Sequence, residues 1–369
     1  MFKRTLIAAS LTVAALASAQ AMAVTGGGAT LPAALYKGSA DSILPANFSY
    51  AAIGSGGGKT AFLKNNPAGF GTTGTVHFAG SDSILSASEL STYDTDFGAA
   101  YGPLIQLPSV ATSVAIPYKK TGQTALNLTS AQLCDAFSGA KTTWGELLGT
   151  SDATKIRIVY RNVSSGTSEI LTRHLASVCP TQFTTSSTFT SARLPAGSTL
   201  PSNWVGVAST SEVATTVNAV DGSIGYVGPD GVDVTSNAVV ARVNGVQPTS
   251  LNVTLALSSV SAPATQAAAS NPANWSPVVA NPASGYKLAA YTNFIFGQCY
   301  KDAAVAADVK AFLTTHYSIP GNNAATQAHK FVAVPNAWKN AVTASFITNT
   351  SGYNLDINNA SVCNAIGRP

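Results

Sequence analysis

Four short segments hold the residues whose types and spacing suit chemistry. In Val159-Tyr160-Arg161-Asn162-Val163-Ser164-Ser165-Gly166-Thr167-Ser168-Glu169-Ile170 one arginine precedes a run of hydroxyls and a glycine. A guanidinium offers a rigid fork of N–H donors to a tetrahedral oxyanion. Ser165 and Thr167 add hydroxyls, and Gly166 frees the backbone N–H groups of a helix start for a ligand. The local alternative is a helix capped by Ser164 or Ser165 with Glu169 in its first turn, which leaves Arg161 without a task. Gly80-Ser81-Asp82-Ser83 sets a carboxylate at the end of an expected strand, where open α/β sheets place their ligands. Its alternative is an Asx turn ahead of a helix from Ser86.

The other two segments are glycine turns. Gly26-Gly27-Gly28-Ala29-Thr30-Leu31-Pro32 precedes an expected helix, so its backbone N–H groups and the positive dipole end suit an anion. A mobile leading segment with a threonine cap and a first-turn proline explains the same letters. Gly54-Ser55-Gly56-Gly57-Gly58-Lys59-Thr60 ends in the Gly-Lys-Thr of a nucleotide loop, but Ile53 stands where that loop requires a glycine. An anion-binding turn or a plain strand-to-helix turn remains.

Other chemistries lack their parts. A metal-dependent phosphatase built on Asp82-Ser83 needs several ligands, and His77, His174, His316 and His329 are scattered without ligand spacing. A serine hydrolase would show a G-x-S-x-G elbow, which is absent from the sequence, and no histidine identifies itself as the partner of Ser164 or Ser165. The expectation is therefore no metal, no cofactor and no catalytic residue. Cys134, Cys179, Cys299 and Cys363 have no C-x-x-C spacing and are expected to form two structural disulfides, paired in sequence order.

The elements that must position these residues follow from pattern and composition. Lys3 and Arg4 precede an apolar run, and Ala21-Met22-Ala23 fits a cleavage site, so Met1 to Ala23 reads as a signal peptide cut after Ala23. The apolar run is too short to span a bilayer, and no later segment is long enough. The chain is thus expected to be periplasmic or extracellular, without membrane insertion. It has 20 Lys and Arg against 16 Asp and Glu, a balance too even for a nucleic-acid binder. Apolar runs alternating with turns and helical patterns indicate an α/β protein. Helices are expected at Leu35 to Leu44, Ser86 to Tyr93, Ser130 to Ser138, Ser168 to Val178, Ser211 to Val220, Ala303 to His316 and Asn336 to Thr348. Strands are expected at Phe48 to Ile53, Val76 to Gly80, Val110 to Pro117, Ile156 to Tyr160, Ile224 to Val227 and Tyr291 to Phe296. If the strands near Val110 and Leu288 are crossovers, residues 24–116 and 288–369 form one discontinuous domain and 117–287 the other. Each would then hold one cysteine pair.

Taken together, GGGATLP, AIGSGGGK, VHFAGSDS and VYRNVSSGTSE resemble, in order and approximate spacing, the periplasmic phosphate-binding proteins of the phosphate ABC importer. More closely the chain resembles the DING proteins, through Pro108 to Pro117, Thr292 to Phe296 with Gln298-Cys299-Tyr300, and the terminal Val362-Cys363-Asn364 with Gly367-Arg368-Pro369. Ala-Val-Thr-Gly stands where those proteins begin Asp-Ile-Asn-Gly. The resemblance implies a two-domain periplasmic-binding-protein fold of type II, with two crossover strands and a ligand cleft between lobes. It implies inorganic phosphate as ligand, with arsenate or phosphate esters as further candidates, in a monomer that serves phosphate uptake, scavenging or sensing and partners an ABC importer. The implied ligands are Thr30, Leu31, Ser55 and Asp82 from one lobe and Arg161, Ser165, Gly166 and Thr167 from the other. Because some DING relatives are described as alkaline phosphatases, a phosphomonoesterase is the alternative. One position departs from the pattern: Val163 stands where the family carries an acid that orients the arginine.

Overall fold

The computed structural model describes residues 24–194 and 199–369. The expected signal peptide and its cleavage point lie outside the described residues. Two sheets organise the chain. The larger has six strands in the order Val332–Ala333, Leu104–Ser113, Ala289–Gly297, Phe78–Ser81, Gly26–Gly28 and Ala51–Ala52. Gly26–Gly28 is parallel to both its neighbours, whereas Ala289–Gly297 is antiparallel to both of its own. The smaller sheet runs Tyr118–Lys119, Ser223–Gly225, Arg157–Arg161, Val205–Val207, and Asn127–Leu128 pairs separately with Arg242–Val243.

The chain passes between the sheets twice, at one place. Leu104–Ser113 ends in the large sheet, and Ala115 already bridges Val227 beside the small one. On the return, Leu288 accepts from the Val114 N–H and Ala289 pairs with Ser113. Two adjacent crossovers joining two layered α/β lobes make a mixed α/β fold of the two-lobed binding-protein type. Each lobe has its own apolar core. Tyr36, Phe48, Phe78, Phe294 and Trp338 belong to one, and Phe137, Trp144, Leu171, Tyr226 and Tyr286 to the other. A disulfide staples each, Cys134–Cys179 across 45 residues and Cys299–Cys363 across 64. Constraining loops of that length in the unfolded chain stabilises by roughly 4 kcal/mol apiece.

Several elements differ from the sequence reading, each for a physical reason. Gly26–Gly28, read as a turn or a mobile lead, is a buried strand. A Cβ on Gly26 would lie 2.2 Å from the Phe78 ring, and one on Gly28, at φ 140°, would lie 2.1 Å from the Gly80 carbonyl oxygen. The helix expected from Leu35 to Leu44 spans only Ala33–Tyr36, because the Ser39 and Ser42 hydroxyls take the Ala34 carbonyl and Gly38 turns at φ 109°. Ser55–Leu63, whose three glycines argue against a helix, is a helix of nine residues. The helix expected at Ser168 starts at Gly166 and runs to Val178, and the one expected at Ser211 is Thr210–Ala219 behind a Ser209–Glu212 capping box. The strand around Val110 begins earlier, at Leu104, and ends at Ser113.

Candidate functional site

Three helix starts face one place between the lobes. Ser55 opens one helix, Gly166 a second and Thr210 a third, each of eight residues or more. The first N–H groups of a helix have no intrahelical acceptor and carry the positive end of its dipole, so this convergence favours an anion. The first two meet directly at Ser55 and Asp82, and the third joins them through Arg161 and Thr30. The Gly166 N–H donates to Ser55 Oγ at 3.2 Å, as does the Asp82 N–H at 3.1 Å, while Ser55 Oγ–H donates to Asp82 Oδ2 at 3.4 Å.

Local sequence explains these positions. Asp82 follows the buried strand Phe78–Ser81, and Ser86 takes the capping role for the next helix through a capping box with Glu89. That leaves the Asp82 carboxylate for the cleft, so the Asx-turn explanation does not hold. Thr30, read alternatively as a cap, makes no capping bond; Pro32 occupies the cap position. Ser165 stands at the cap position of the Gly166–Val178 helix, yet its side chain makes no capping bond and accepts instead from Arg161. The Val163–Ser164 turn folds against the glycine segment of the other lobe: a Cβ on Gly56 would fall 2.0 Å from Ser164 Oγ, and one on Gly54 would fall 2.9 Å from the Ser164 carbonyl oxygen. The glycines at 54 and 56 are thus required by the approach of one lobe to the other.

Arg161 lies at the end of the strand Arg157–Arg161 and is only 1% exposed. Its backbone N–H is anchored by Tyr226 Oη at 2.9 Å, and that phenol also bonds Ser168. Nη1 donates to three hydroxyls, Thr30 Oγ1 at 2.9 Å, Thr210 Oγ1 at 3.0 Å and Ser165 Oγ at 3.1 Å. Nη2 donates to the Ala208 carbonyl at 2.6 Å. Among the described residues no carboxylate forms an ion pair with this guanidinium. Val163 contributes no acceptor, and hydroxyls with one carbonyl orient the arginine in its place. The charge is fixed in position and left largely uncompensated.

Asp82 is the opposing charge. Burial raises its carboxyl from the ordinary 3.8 to about 6, against the Thr292 hydroxyl and the pull of the Arg161 charge. Three buried polar atoms of this cluster have no hydrogen-bond partner: Asp82 Oδ1, Arg161 Nε and Thr167 Oγ1. One acceptor and two donors sealed from water are costly unless a ligand pairs with them. The arrangement can enclose a small, tetrahedral, partly protonated oxyanion.

A model described as a PBP superfamily domain matches residues 14–318. The chain belongs to the PBP superfamily. This PBP superfamily member is 66% identical over 369 residues, all of both chains, to alkaline phosphatase L of Pseudomonas aeruginosa PAO1. Its fold matches a phosphate-binding protein of Stenotrophomonas maltophilia with a TM-score of 0.87 at 48% identity, covering 94% of this chain and 99% of that one. It matches a high-affinity periplasmic phosphate-binding protein, PfluDING, solved with phosphate bound, with a TM-score of 0.86 at 42% identity and the same coverage. The DING resemblance carried by the sequence segments is thus a matter of membership.

Of the residues expected in the site of this PBP superfamily chain, Thr30, Ser55, Asp82, Arg161, Ser165, Gly166 and Thr167 belong to this one cluster. Leu31 adjoins Thr30 and packs its side chain on Gly228, where an added Cβ would be 2.7 Å from Leu31 Cγ. Sequence reasoning missed Thr210, Ala208 and Tyr226. The signal for Thr210 was present in Ser209-Thr210-Ser211-Glu212, a capping box that announces a helix start after a strand; only contact with Arg161 gives it a role. Among the described residues there is no group of His, Cys, Asp and Glu able to hold a metal ion.

Proposed function

We propose that this protein is an exported phosphate-binding protein that clamps inorganic phosphate between its two lobes, for uptake, scavenging or sensing. The observation that carries the reading is the sealed trio of unpartnered atoms, with Arg161 Nε and Thr167 Oγ1 as donors and Asp82 Oδ1 as acceptor. Phosphate near neutral pH keeps a proton for Asp82 while its other oxygens accept; sulfate has no such proton and faces the carboxylate acceptor to acceptor. The lobes are taken as residues 24–116 with 288–369, and 117–287. Thr30, Leu31, Ser55, Asp82, Arg161, Ser165, Gly166 and Thr167 are the ligands in this reading. Support also comes from the 42%-identical PfluDING, which was solved with phosphate. Export follows from the leader-like residues 1–23, and delivery to an ABC importer follows from the family resemblance. Isothermal titration of phosphate-stripped protein should give tight one-site binding of phosphate, with arsenate following and sulfate inert at pH 8. Sulfate binding as tight as phosphate at that pH would overturn the reading.

A phosphomonoesterase is the second reading, favoured by the name of the 66%-identical relative. Against it, among the described residues no histidine hydrogen-bonds Ser55, Ser165 or Thr167, and the one carboxylate in reach of a site hydroxyl is Asp82, at a long 3.4 Å from Ser55 Oγ. Hydrolysis of an aryl phosphate by purified protein, abolished in both Asp82→Asn and Arg161→Ala, would establish the enzyme.

A further inference from the structure

Arg161 Nη1 has two protons and three hydroxyls within reach, Thr30, Ser165 and Thr210. Thr30 and Ser165 are themselves assigned to the anion under the phosphate-binding reading, on which the inference rests. When those two hydroxyls turn to a bound anion, the guanidinium keeps only acceptors that are not ligands. Those are the Ala208 carbonyl on Nη2 and the Thr210 hydroxyl on Nη1. Both belong to one turn, between the strand Val205–Val207 and the helix Thr210–Ala219.

Thr210 also bonds across the cleft. Its Oγ1 lies 2.8 Å from Thr30 Oγ1, a residue of the other lobe, and 3.0 Å from Arg161 Nη1. A single hydroxyl at a helix start therefore touches both the arginine and the opposite lobe. Because no carboxylate among the described residues pairs with Arg161, nothing stronger competes for this task.

We propose that Thr210 is a positioning residue for anion binding: its hydroxyl holds Arg161 in register and ties that arginine to Thr30 as the lobes close. Closure and arginine orientation then become one event. An open cleft separates Thr210 from Thr30 and loosens Nη1; a closed cleft restores both contacts and aims the Nε edge at the anion. The ligand gains affinity from an arginine that is fully ordered only in the closed form.

Valine matches threonine in shape and lacks the hydroxyl, so Thr210→Val removes these bonds with little change in packing. Hydrogen bonds to a charged group are worth enough that phosphate affinity should fall about 10- to 100-fold. The loss should lie mainly in faster phosphate release, followed by stopped-flow mixing of the full chain. Thr210→Ser keeps the hydroxyl and should bind within about threefold of the parent, a rescue that a packing role would not give. The ligand-free melting temperatures of both variants should stay close to that of the parent. If Thr210→Val does not fold, Thr210→Ala, a good helix former at a helix start, takes its place. Parent-like binding by Thr210→Val, or equal loss in Thr210→Ser, overturns the inference while leaving phosphate binding intact. Failure of the parent to bind phosphate overturns the functional reading and this inference with it.

Discussion

At the scale of single residues, the site is an argument between two buried charges. Asp82 is nearly enclosed, and its carboxyl is pushed up to about 6 by burial. In the unfolded chain it ionises near 3.8, so between those values the fold binds the extra proton. Ligand-free stability therefore falls as pH rises through that window, by up to roughly 3 kcal/mol. Asp82→Asn should remove that loss: its phosphate-free melting temperature should exceed the parent's at pH 7 to 8 and approach it at pH 4, while phosphate affinity collapses. A variant less stable than the parent at pH 8 would show that Asp82 is compensated by partners other than the ligand. Val163 bears on the opposite charge. Since Thr210, Ser165, Thr30 and Ala208 already orient Arg161, an acid at 163 adds neutralisation rather than order. Val163→Glu should weaken phosphate binding about tenfold by titration, about 1.4 kcal/mol. Tighter binding would mean that the guanidinium is poorly fixed without a carboxylate.

At the scale of elements, glycines decide which backbones can meet. The helix Gly166–Val178 begins on a residue whose added Cβ would stand 2.4 Å from Asp82 Cβ and 2.7 Å from both the Asp82 carbonyl carbon and Ser55 Oγ. That helix start closes on the other lobe only because it has no side chain. Alanine is the better helix former, so Gly166→Ala should leave the ligand-free melting temperature unchanged or slightly raised. It should also hold the lobes apart and reduce phosphate affinity by more than about 100-fold, the consequence of losing several charge-assisted bonds at once. Binding retained within tenfold would show that the cleft accommodates a methyl by shifting. The same steric logic made parts of the fold hard to read. Gly56, Gly57 and Gly58 argue against a helix by propensity, yet Ser55–Leu63 is helical because Gly58 packs 2.4 Å, measured from an added Cβ, from the Gly28 Cα and Gly56 faces Ser164. Tertiary approach outweighs a local cost of about 1 kcal/mol per glycine. Strands with side chains differed: Ala289–Gly297 contains the expected Tyr291 to Phe296, whereas Leu104–Ser113, equally buried but carrying Gln106, Pro108, Ser109 and Thr112, overlaps the expected Val110 to Pro117 over four residues only.

At the scale of the whole molecule, the two lobes also meet at a histidine outside the anion cluster. His329 Nε2 lies 3.0 Å from Asp41 Oδ1 and 3.3 Å from Ser39 Oγ, while Nδ1 lies 3.2 Å from Asp230 Oδ2, and Lys330 beside it donates to the Val232 carbonyl. Asp41 belongs to the lobe of the large sheet and Asp230 to the other. Burial disfavours the charged ring, but the two carboxylates outweigh it and hold the imidazole above its usual 6.5. A raised histidine contributes stability that is complete below 6.5 and lost as pH rises through its value in the fold. The parent should therefore melt higher than His329→Gln at pH 6, and the difference should shrink towards pH 9. A difference independent of pH would assign His329 a packing role alone.

The sequence by itself determined the class of fold from local pattern, and sequence order paired the cysteines as the structure has them; the candidate anion ligands lay in segments whose local readings stayed open and were joined into one set only by the family resemblance. Alternating apolar runs declare α/β layers, and hydroxyls and glycines at strand ends declare helix starts. Tertiary structure alone decided that Gly26–Gly28 is a strand, that Ser55 opens a helix, and that Thr210 stands on Arg161. Each of these depends on which surfaces meet across a long separation in the chain. A glycine is silent about why it is a glycine until its neighbour is in place, and a hydroxyl at a helix start shows its second task only when a buried arginine arrives beside it.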